Sequence, residues 1–206
     1  LLKKEYIIVS LSNSIYIYNL QTLELFRKIK TIENFRGLVT CTYDSQFLLS
    51  CLSEYSKQTV NIYNILEPNQ KKIKIDAHKS EITFIKLSHT GNLLATSSQK
   101  GTLLRLYHTL TGELVKELRR GSEQIPIDWM NFSYGDEMIL CRSKKGTIHL
   151  FNIGFKNEFL PDKNNKKLSF VNLFQNYLPK YFSSEWSFAH FHFPNKRTIS
   201  VFSQDL

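Results

Sequence analysis

The sequence has few cysteines and no long apolar run. Its three cysteines, Cys41, Cys51 and Cys141, lack the spacing of metal ligands, and their odd number leaves one thiol unpaired. This pattern is typical of a reducing compartment such as the cytosol, with the thiols buried in strands. No apolar stretch approaches the roughly 20 residues that span a bilayer, and no signal peptide is apparent, although the chain begins with Leu1 rather than Met. Any membrane contact is therefore expected to be peripheral.

Catalytic and metal-binding motifs are also missing. There is no G-x-S-x-G elbow, P-loop or H-E-x-x-H sequence, and Asp128 and Asp136 lie on different local elements rather than forming a carboxylate pair. His190 and His192 alternate with aromatic residues, as on one face of a strand, and further metal ligands are not evident. The sequence therefore predicts a protein that is not an enzyme and that needs neither a metal nor a cofactor.

The charge is strongly positive. The 206 residues include 27 Lys and Arg against 18 Asp and Glu, a net charge of +9, and 42% are hydrophobic, enough for one sizeable core. This charge indicates an acidic partner, either nucleic acid or an anionic membrane. A general bias of the source toward Lys and Asn is an alternative explanation.

A short strand motif recurs along the chain, whereas helical periodicity is nearly absent. Its four copies are Ile15-Tyr16-Ile17-Tyr18, Val60-Asn61-Ile62-Tyr63, Leu104-Arg105-Leu106-Tyr107 and Ile148-His149-Leu150-Phe151. They recur at intervals of 45, 44 and 44 residues, and a four-stranded propeller blade takes roughly 40–45 residues. The sequence therefore predicts an all-β propeller.

The number of repeats predicts only part of a ring. We expect one domain over residues 1–206, with about three full and two partial blades. Their approximate bounds are 1–30 (partial), 37–76, 80–121, 125–180 and 186–206 (partial). The interval from Phe132 to the corresponding Phe191 is 59 residues instead of 45, and we assign the excess to a loop inserted at 154–180.

Two adjacent arginines mark the candidate site. Arg119 and Arg120 end a predicted strand, so their side chains point to opposite faces and serve two neighbouring pockets rather than one. Two similar segments, SSQKGT at 97–102 and RSKKGT at 142–147, combine hydroxyls, a cation and a turn glycine, which is the chemistry of an anion site. The alternative is a solvated strand end with one arginine paired to Glu117 or Glu123.

Several segments together resemble one protein family. They are NFRGL at 34–38, AHKSEI at 77–82, ATSSQKGT at 95–102, LRRG at 118–121, KGTIHLF at 145–151 and LPKYF at 178–182. The chain resembles the PROPPIN (WIPI-like) family over nearly its whole length. The resemblance implies a seven-bladed β-propeller of the WD-repeat type that binds phosphoinositides and acts in autophagy.

The resemblance also implies which residues bind the lipid headgroup. The first site would contain Ser98, Thr102, Arg105 and Arg119, and the second Arg120, Ser143, Lys145, Thr147 and His149. Lys100 and Lys145 precede turn glycines, Gly101 and Gly146, which are expected to need a positive φ. Arg142 stands where the first copy has Ser97 and either adds charge or obstructs the second site. His78 is close to the structural histidine that ties blades together in WD-repeat proteins.

The inserted loop is the predicted membrane anchor. It places several lysines before a cluster of apolar residues, a composition that suits an interfacial segment. In the family resembled, a loop at this place inserts into the membrane, which implies that role for Phe170, Val171, Leu173 and Phe174. For residues 178–182 an outer strand of the blade is an equal alternative.

The resulting prediction is a monomeric, cytoplasmic effector that binds autophagosomal, endosomal or vacuolar membranes peripherally. The ligands implied are phosphatidylinositol 3-phosphate and 3,5-bisphosphate, and autophagy proteins are the implied partners. Substitution of both arginines is expected to abolish membrane recruitment while leaving the fold intact. A scaffold propeller without lipid specificity is the alternative, and a nucleic-acid binder ranks last because the aromatic residues sit mainly at strand-periodic positions.

Overall fold

The computed structural model describes residues 1–3, 5–42, 47–154, 185–193 and 202, and every regular element in these ranges is a β-strand. The four predicted loop residues Phe170, Val171, Leu173 and Phe174 lie outside the described part of the chain, so their membrane role stays a prediction.

The strands form four sheets in which, apart from the short β16, neighbouring strands pair antiparallel. The first sheet contains β1 (Leu2–Lys3), β2 (Tyr6–Ser10), β3 (Ser14–Asn19) and β4 (Leu25–Lys30), and the second β5 (Val39–Cys41), β6 (Leu48–Leu52), β7 (Thr59–Asn64) and β8 (Ile73–Asp76). The third contains β9 (Ile82–Leu87), β10 (Leu93–Ser98), β11 (Leu103–His108) and β12 (Leu114–Arg119), and the fourth β13 (Ile127–Phe132), β14 (Met138–Ser143), β15 (Thr147–Asn152) and β17 (Ala189–His192). The short β16 (Glu185–Trp186) adds to the third sheet, parallel to β12.

The recurring motif forms the third strand of each sheet. Its copies lie in β3, β7, β11 and β15, and each ends in an aromatic residue, a type that strands on a pleated, half-buried surface favour. The all-β prediction is confirmed, with one sheet for each repeat.

Successive sheets pack face to face through three buried cores. The first and second sheets share one core, the second and third another, and the third and fourth the last. Strand β11 contributes to two of these cores, because Leu104 and Leu106 face the fourth sheet whereas Tyr107 faces the second. A sheet that is apolar on both faces is the arrangement of a propeller blade between its neighbours.

Two assignments at the ends of the chain differ from the structure. The sequence predicts that a further blade starts at Trp186, but the structure does not place a new blade there. Ala189–His192 is instead the outer strand of the fourth sheet, and Phe191 lies opposite Ile148. The alternation of aromatic and small or polar residues in this segment suits any strand, so it does not distinguish an inner from an outer position. Residues 1–30, predicted as a partial blade, form a sheet of four strands, although β1 has only two residues.

Candidate functional site

The two arginines lie at the end of β12 and face different neighbours. Leu118 packs into the core with the fourth sheet, whereas Arg119 lies opposite Leu103 on the face toward the second sheet. The next residue, Arg120, turns back toward the fourth sheet, where its guanidinium donates to the carbonyl of Ile125. Strand alternation therefore separates the two cations, as the sequence predicts.

Arg120 is buried, with 7% of its surface exposed. Its Nε donates to the Gly101 carbonyl at 3.0 Å, and its Nη2 donates to the carbonyls of Glu123 at 2.5 Å and Ile125 at 3.0 Å. Burial lowers the pKa of Arg120 below that of a solvated arginine. This side chain therefore joins the β10–β11 turn to the segment that leads into the fourth sheet, a structural role that the sequence did not indicate.

The second group of predicted residues comes together around Arg120. On β14 and β15, Ser143, Thr147 and His149 lie on the face toward the third sheet, since Cys141 is opposite His149 and belongs to the core between the two sheets. The Ser143 hydroxyl accepts a hydrogen bond from the backbone N–H of Thr147 at 3.3 Å.

The charge state of His149 and the ion pair of Lys145 determine the electrostatics of this group. Burial first, then the charge of Arg120 and the neighbouring His190, lower the pKa of His149 to about 4, so this imidazole is neutral at pH 7. Lys145 is exposed and forms an ion pair with Glu123, which contributes little because both groups are solvated. The site therefore combines a buried cation with a neutral imidazole and hydroxyls.

Arg142 does not obstruct this group. It lies opposite Ile148 on the other face of the fourth sheet, where its Nε donates to Asp128 Oδ1 at 2.9 Å and its Nη2 to Oδ2 at 2.5 Å. The two parallel bonds form a bidentate ion pair. Arg142 therefore serves the opposite surface of the sheet.

The first group is less compact. Arg119 lies beside the ring of Trp186, with its guanidinium carbon 6.0 Å from the ring centre, Thr102 is partly exposed and Ser98 is buried. Arg105 points into the interface between the second and third sheets, where it donates to Glu117 at 2.9 Å and to the Ala77 carbonyl at 2.7 Å. The contacts of Arg105 are thus those of a structural residue, and its assignment to a lipid site stays a prediction.

His78 ties the second sheet to the third. Its Nε2 is 2.9 Å from the hydroxyl of Thr96 on β10, and the hydroxyl of Tyr107 donates to the carbonyl of the preceding Ala77 at 2.9 Å. Burial first, then the charge of Arg105, lower the pKa of His78 to about 4. These contacts support the structural role predicted for this histidine.

We expect the free energy of unfolding to decrease by about 3 kcal/mol through His78 alone as the pH falls from 6.5 to 4. A folded-state pKa below the unfolded value means that the stabilisation is complete above pH 6.5 and is lost as the unfolded chain binds the proton first. His149 adds a contribution of the same sign, so His78→Gln should keep about half of the slope. Urea unfolding at several pH values measures this dependence. If the free energy of unfolding changed with pH equally in the unsubstituted chain and in His78→Gln, the contribution assigned to His78 would be contradicted.

The two turn glycines have the predicted conformation. Gly101 has φ +62° and Gly146 has φ +85°, a left-handed region that is costly for residues with a Cβ. A Cβ on Gly101 would collide with the carbonyl of Ile125, and one on Gly146 with the carbonyl of Phe193. Each glycine therefore lets a hairpin turn approach a backbone segment closely at the edge where the candidate residues lie.

Two other functional features are absent from the described ranges. No helix there is long and apolar enough to cross a membrane. In the same residues, no three His, Cys, Asp or Glu side chains are grouped so that they could hold a metal ion.

Comparisons with known proteins show what the chain is similar to. A family model described as PROPPIN matches residues 1–197. Autophagy-related protein 18e of Arabidopsis thaliana is 34% identical over 195 residues, which cover 94% of this chain and 50% of that protein.

Solved structures agree with the fold. Kluyveromyces lactis Hsv2 with its complete loop 6CD has a TM-score of 0.71 at 27% identity, over 94% of this chain and 56% of that one. A complex of KlAtg21 with the coiled coil of AgAtg16 has a TM-score of 0.62 at 28% identity, over 74% of this chain and 51% of that one. The chain thus spans about half the length of the proteins it matches, as the prediction of a partial ring requires.

Proposed function

Because this chain belongs to the PROPPIN family, we propose that it is a non-catalytic effector that binds phosphoinositides on membranes in autophagy or endosomal trafficking. The ligands proposed are phosphatidylinositol 3-phosphate and 3,5-bisphosphate, bound at two sites on one edge of the propeller. Attachment would be peripheral, on autophagosomal precursors, endosomes or the vacuole.

The observation that carries the proposal is the divergence of Arg119 and Arg120 at a single edge. Each cation faces a different neighbouring sheet, and Thr147 adds a hydroxyl on the side of Arg120. Guanidinium and hydroxyl donors are the groups that bind phosphate oxygens. Two weak sites on one rigid body gain avidity on a membrane, where both are presented with ligand together.

A protein partner is proposed on separate grounds. One solved relative forms a complex with the coiled coil of AgAtg16, and we extend a scaffold role toward autophagy proteins to this chain. Surfaces of the blades beside or opposite the lipid edge would carry such contacts, which leaves the arginine edge for the membrane. We expect the chain itself to be monomeric.

Vesicle flotation tests the lipid assignment, with circular dichroism confirming that each variant folds. We expect Arg119→Gln and Thr147→Ala each to weaken binding to vesicles containing phosphatidylinositol 3-phosphate by about tenfold, and the two together to abolish it. Lys74→Gln is a matched control, since it removes one positive charge from an outer strand, where the lysine side chain is 60% exposed. Unchanged flotation of the double variant would overturn the proposal.

The identity of the lipid separates this function from that of a scaffold without lipid specificity. We expect vesicles with phosphatidylinositol 4-phosphate to bind at least tenfold more weakly than vesicles with the 3-phosphate at equal charge. Equal binding to both would favour the scaffold alternative. A nucleic-acid binder would instead show a steep salt dependence with RNA or DNA.

A further inference from the structure

Two histidines extend the second candidate site onto the outer strand of the fourth sheet. On β17, His190 lies opposite His149 and His192 lies opposite Thr147. Residues opposite each other in antiparallel strands share a face, and so do residues two apart along a strand. The face that carries Thr147 and His149 therefore also carries His190 and His192, neither of which belongs to the two predicted sites.

The new histidines contact the predicted site directly. The rings of His190 and His149 are stacked, with their centres 6.0 Å apart. His192 Nδ1 is 3.1 Å from the Thr147 hydroxyl oxygen, and His149 Nδ1 is 3.1 Å from the Ser187 hydroxyl oxygen. Both β17 histidines are exposed, whereas His149 is 9% exposed. An anion placed against Thr147 would therefore meet two solvated imidazoles.

Protonation of His192 would change what Thr147 can donate. A charged imidazole carries a proton on each nitrogen, so Nδ1 must donate to the Thr147 hydroxyl oxygen across the 3.1 Å contact. The hydroxyl proton is then directed to another acceptor, such as a phosphate oxygen. A charged His190 would add a second cation beside the buried Arg120.

The charged and titratable groups on the elements around these histidines are a cation, a neutral thiol and two ion-paired carboxylates. The third sheet contributes Arg120, a permanent cation, and burial raises the pKa of the Cys141 thiol to about 12, which leaves it neutral. The two nearby carboxylates are already paired, Glu123 with Lys145 and Glu185 with Lys116. A bound phosphate would therefore be the unpaired negative charge beside the imidazoles.

Resting on the function proposed above, we propose that His190 and His192 are further ligand-binding residues of the second headgroup site. Through them, affinity for a phosphorylated headgroup increases as the pH falls from neutral to mildly acidic values. Histidine is the side chain that commonly changes its charge between pH 5 and 8, and two additional partly solvated charges are expected to strengthen phosphate binding about tenfold in total.

The experiment compares variants across pH with one lipid probe. Vesicles of phosphatidylcholine with phosphatidylinositol 3-phosphate are titrated with the protein at pH 7.5, 6.5 and 5.5, and circular dichroism confirms folding at each pH. We expect the unsubstituted chain to bind about tenfold more tightly at pH 5.5 than at pH 7.5, and His190→Gln/His192→Gln to lose this gain. His89→Gln is the control, because His89 follows the C-terminal end of β9, where its ring lies 5.8 Å from that of Tyr134.

A second variant is expected to bind the lipid tightly already at neutral pH. His190→Lys/His192→Lys carries fixed charge, so it should bind at pH 7.5 about as tightly as the unsubstituted chain does at pH 5.5 and show no gain in affinity at lower pH. The phosphate monoester itself loses charge on acidification, which acts against the expected gain and affects all variants equally. Tighter binding at pH 5.5 than at pH 7.5 that persists in the Gln variant would overturn the inference.

The outcomes separate this inference from the function on which it rests. Absence of binding to the lipid at every pH would refute the proposed function itself. Binding that requires Arg119 and Thr147 but is independent of pH would refute only the role of His190 and His192. Competition by free inositol 1,3-bisphosphate should show the same pH dependence, and a dependence seen with vesicles alone would place the effect at another membrane contact and overturn the assignment.

Discussion

Replacement of Arg120 by alanine is expected to lower the free energy of unfolding by about 4 kcal/mol. The guanidinium donates to three backbone carbonyls while 7% exposed, and its removal leaves those acceptors without their donor. A charged hydrogen bond typically contributes more than a neutral one, and an unsatisfied buried group costs its full desolvation. Urea unfolding followed by tryptophan fluorescence measures the change.

Arg119→Ala is the matched comparison. This residue is the immediate neighbour and carries the same charge, and its guanidinium lies 6.0 Å from the Trp186 ring centre, a cation–π contact of about 1 kcal/mol. We expect the Arg119 variant to lose far less stability than the Arg120 variant. A larger loss of stability for the Arg119 variant would contradict the structural role that the carbonyl contacts assign to Arg120.

This difference changes how a double substitution must be interpreted. The sequence predicts that loss of both arginines abolishes membrane recruitment and leaves the fold intact. The carbonyl contacts of Arg120 contradict the second half of that expectation, because the residue joins the third sheet to the chain entering the fourth. Loss of membrane binding in such a variant would combine unfolding with lost lipid contacts.

Gly101→Ala is expected to destabilise the protein by about 4 kcal/mol, as much as the loss of Arg120. The φ of +62° is unfavourable for alanine, and the added Cβ would meet the carbonyl of Ile125 and the backbone of Pro126 rather than a flexible side chain. The Ile125 carbonyl also accepts from Arg120, so the collision would disturb that hydrogen bond as well. Thermal or urea unfolding measures the loss.

Gly121→Ala serves as the control at the same edge. A Cβ on Gly121 would meet nothing within 4 Å, and its φ is not positive. We expect this variant to unfold within about 0.5 kcal/mol of the unsubstituted protein. Equal effects at both glycines would show that the approach of the turn to Ile125 does not constrain the fold.

Much of the fold could be predicted because each blade repeats a short strand motif at a regular interval. The four copies of the strand motif predict β3, β7, β11 and β15, and alternation alone places Arg119 and Arg120 on opposite sides. Gly101 and Gly146 could be assigned as turn glycines because their neighbours already indicated hairpins. These are local properties, which a single sequence contains.

The parts that escaped prediction depend on contacts between distant segments. The assignment of residues 186–192 to a new blade was wrong because alternation does not reveal which strand is the neighbour. The burial of Arg120 could not be predicted, since a charged side chain is ordinarily exposed and the carbonyls that bind it come from other loops. Pairing of β17 with β15 likewise shows that His190 and His192 join Thr147 and His149, which no spacing in the sequence indicates.

The short segment from Glu185 to His192 contacts both groups of candidate residues. Its beginning pairs with β12, where Trp186 lies beside Arg119, and a few residues later Ser187 contacts His149 and the chain pairs with β15. One strip of backbone thus adjoins both candidate groups. Under the function proposed above, a headgroup that displaced the indole from Arg119 would also shift the partner of His149, and the two proposed sites would then be coupled through thermodynamic linkage.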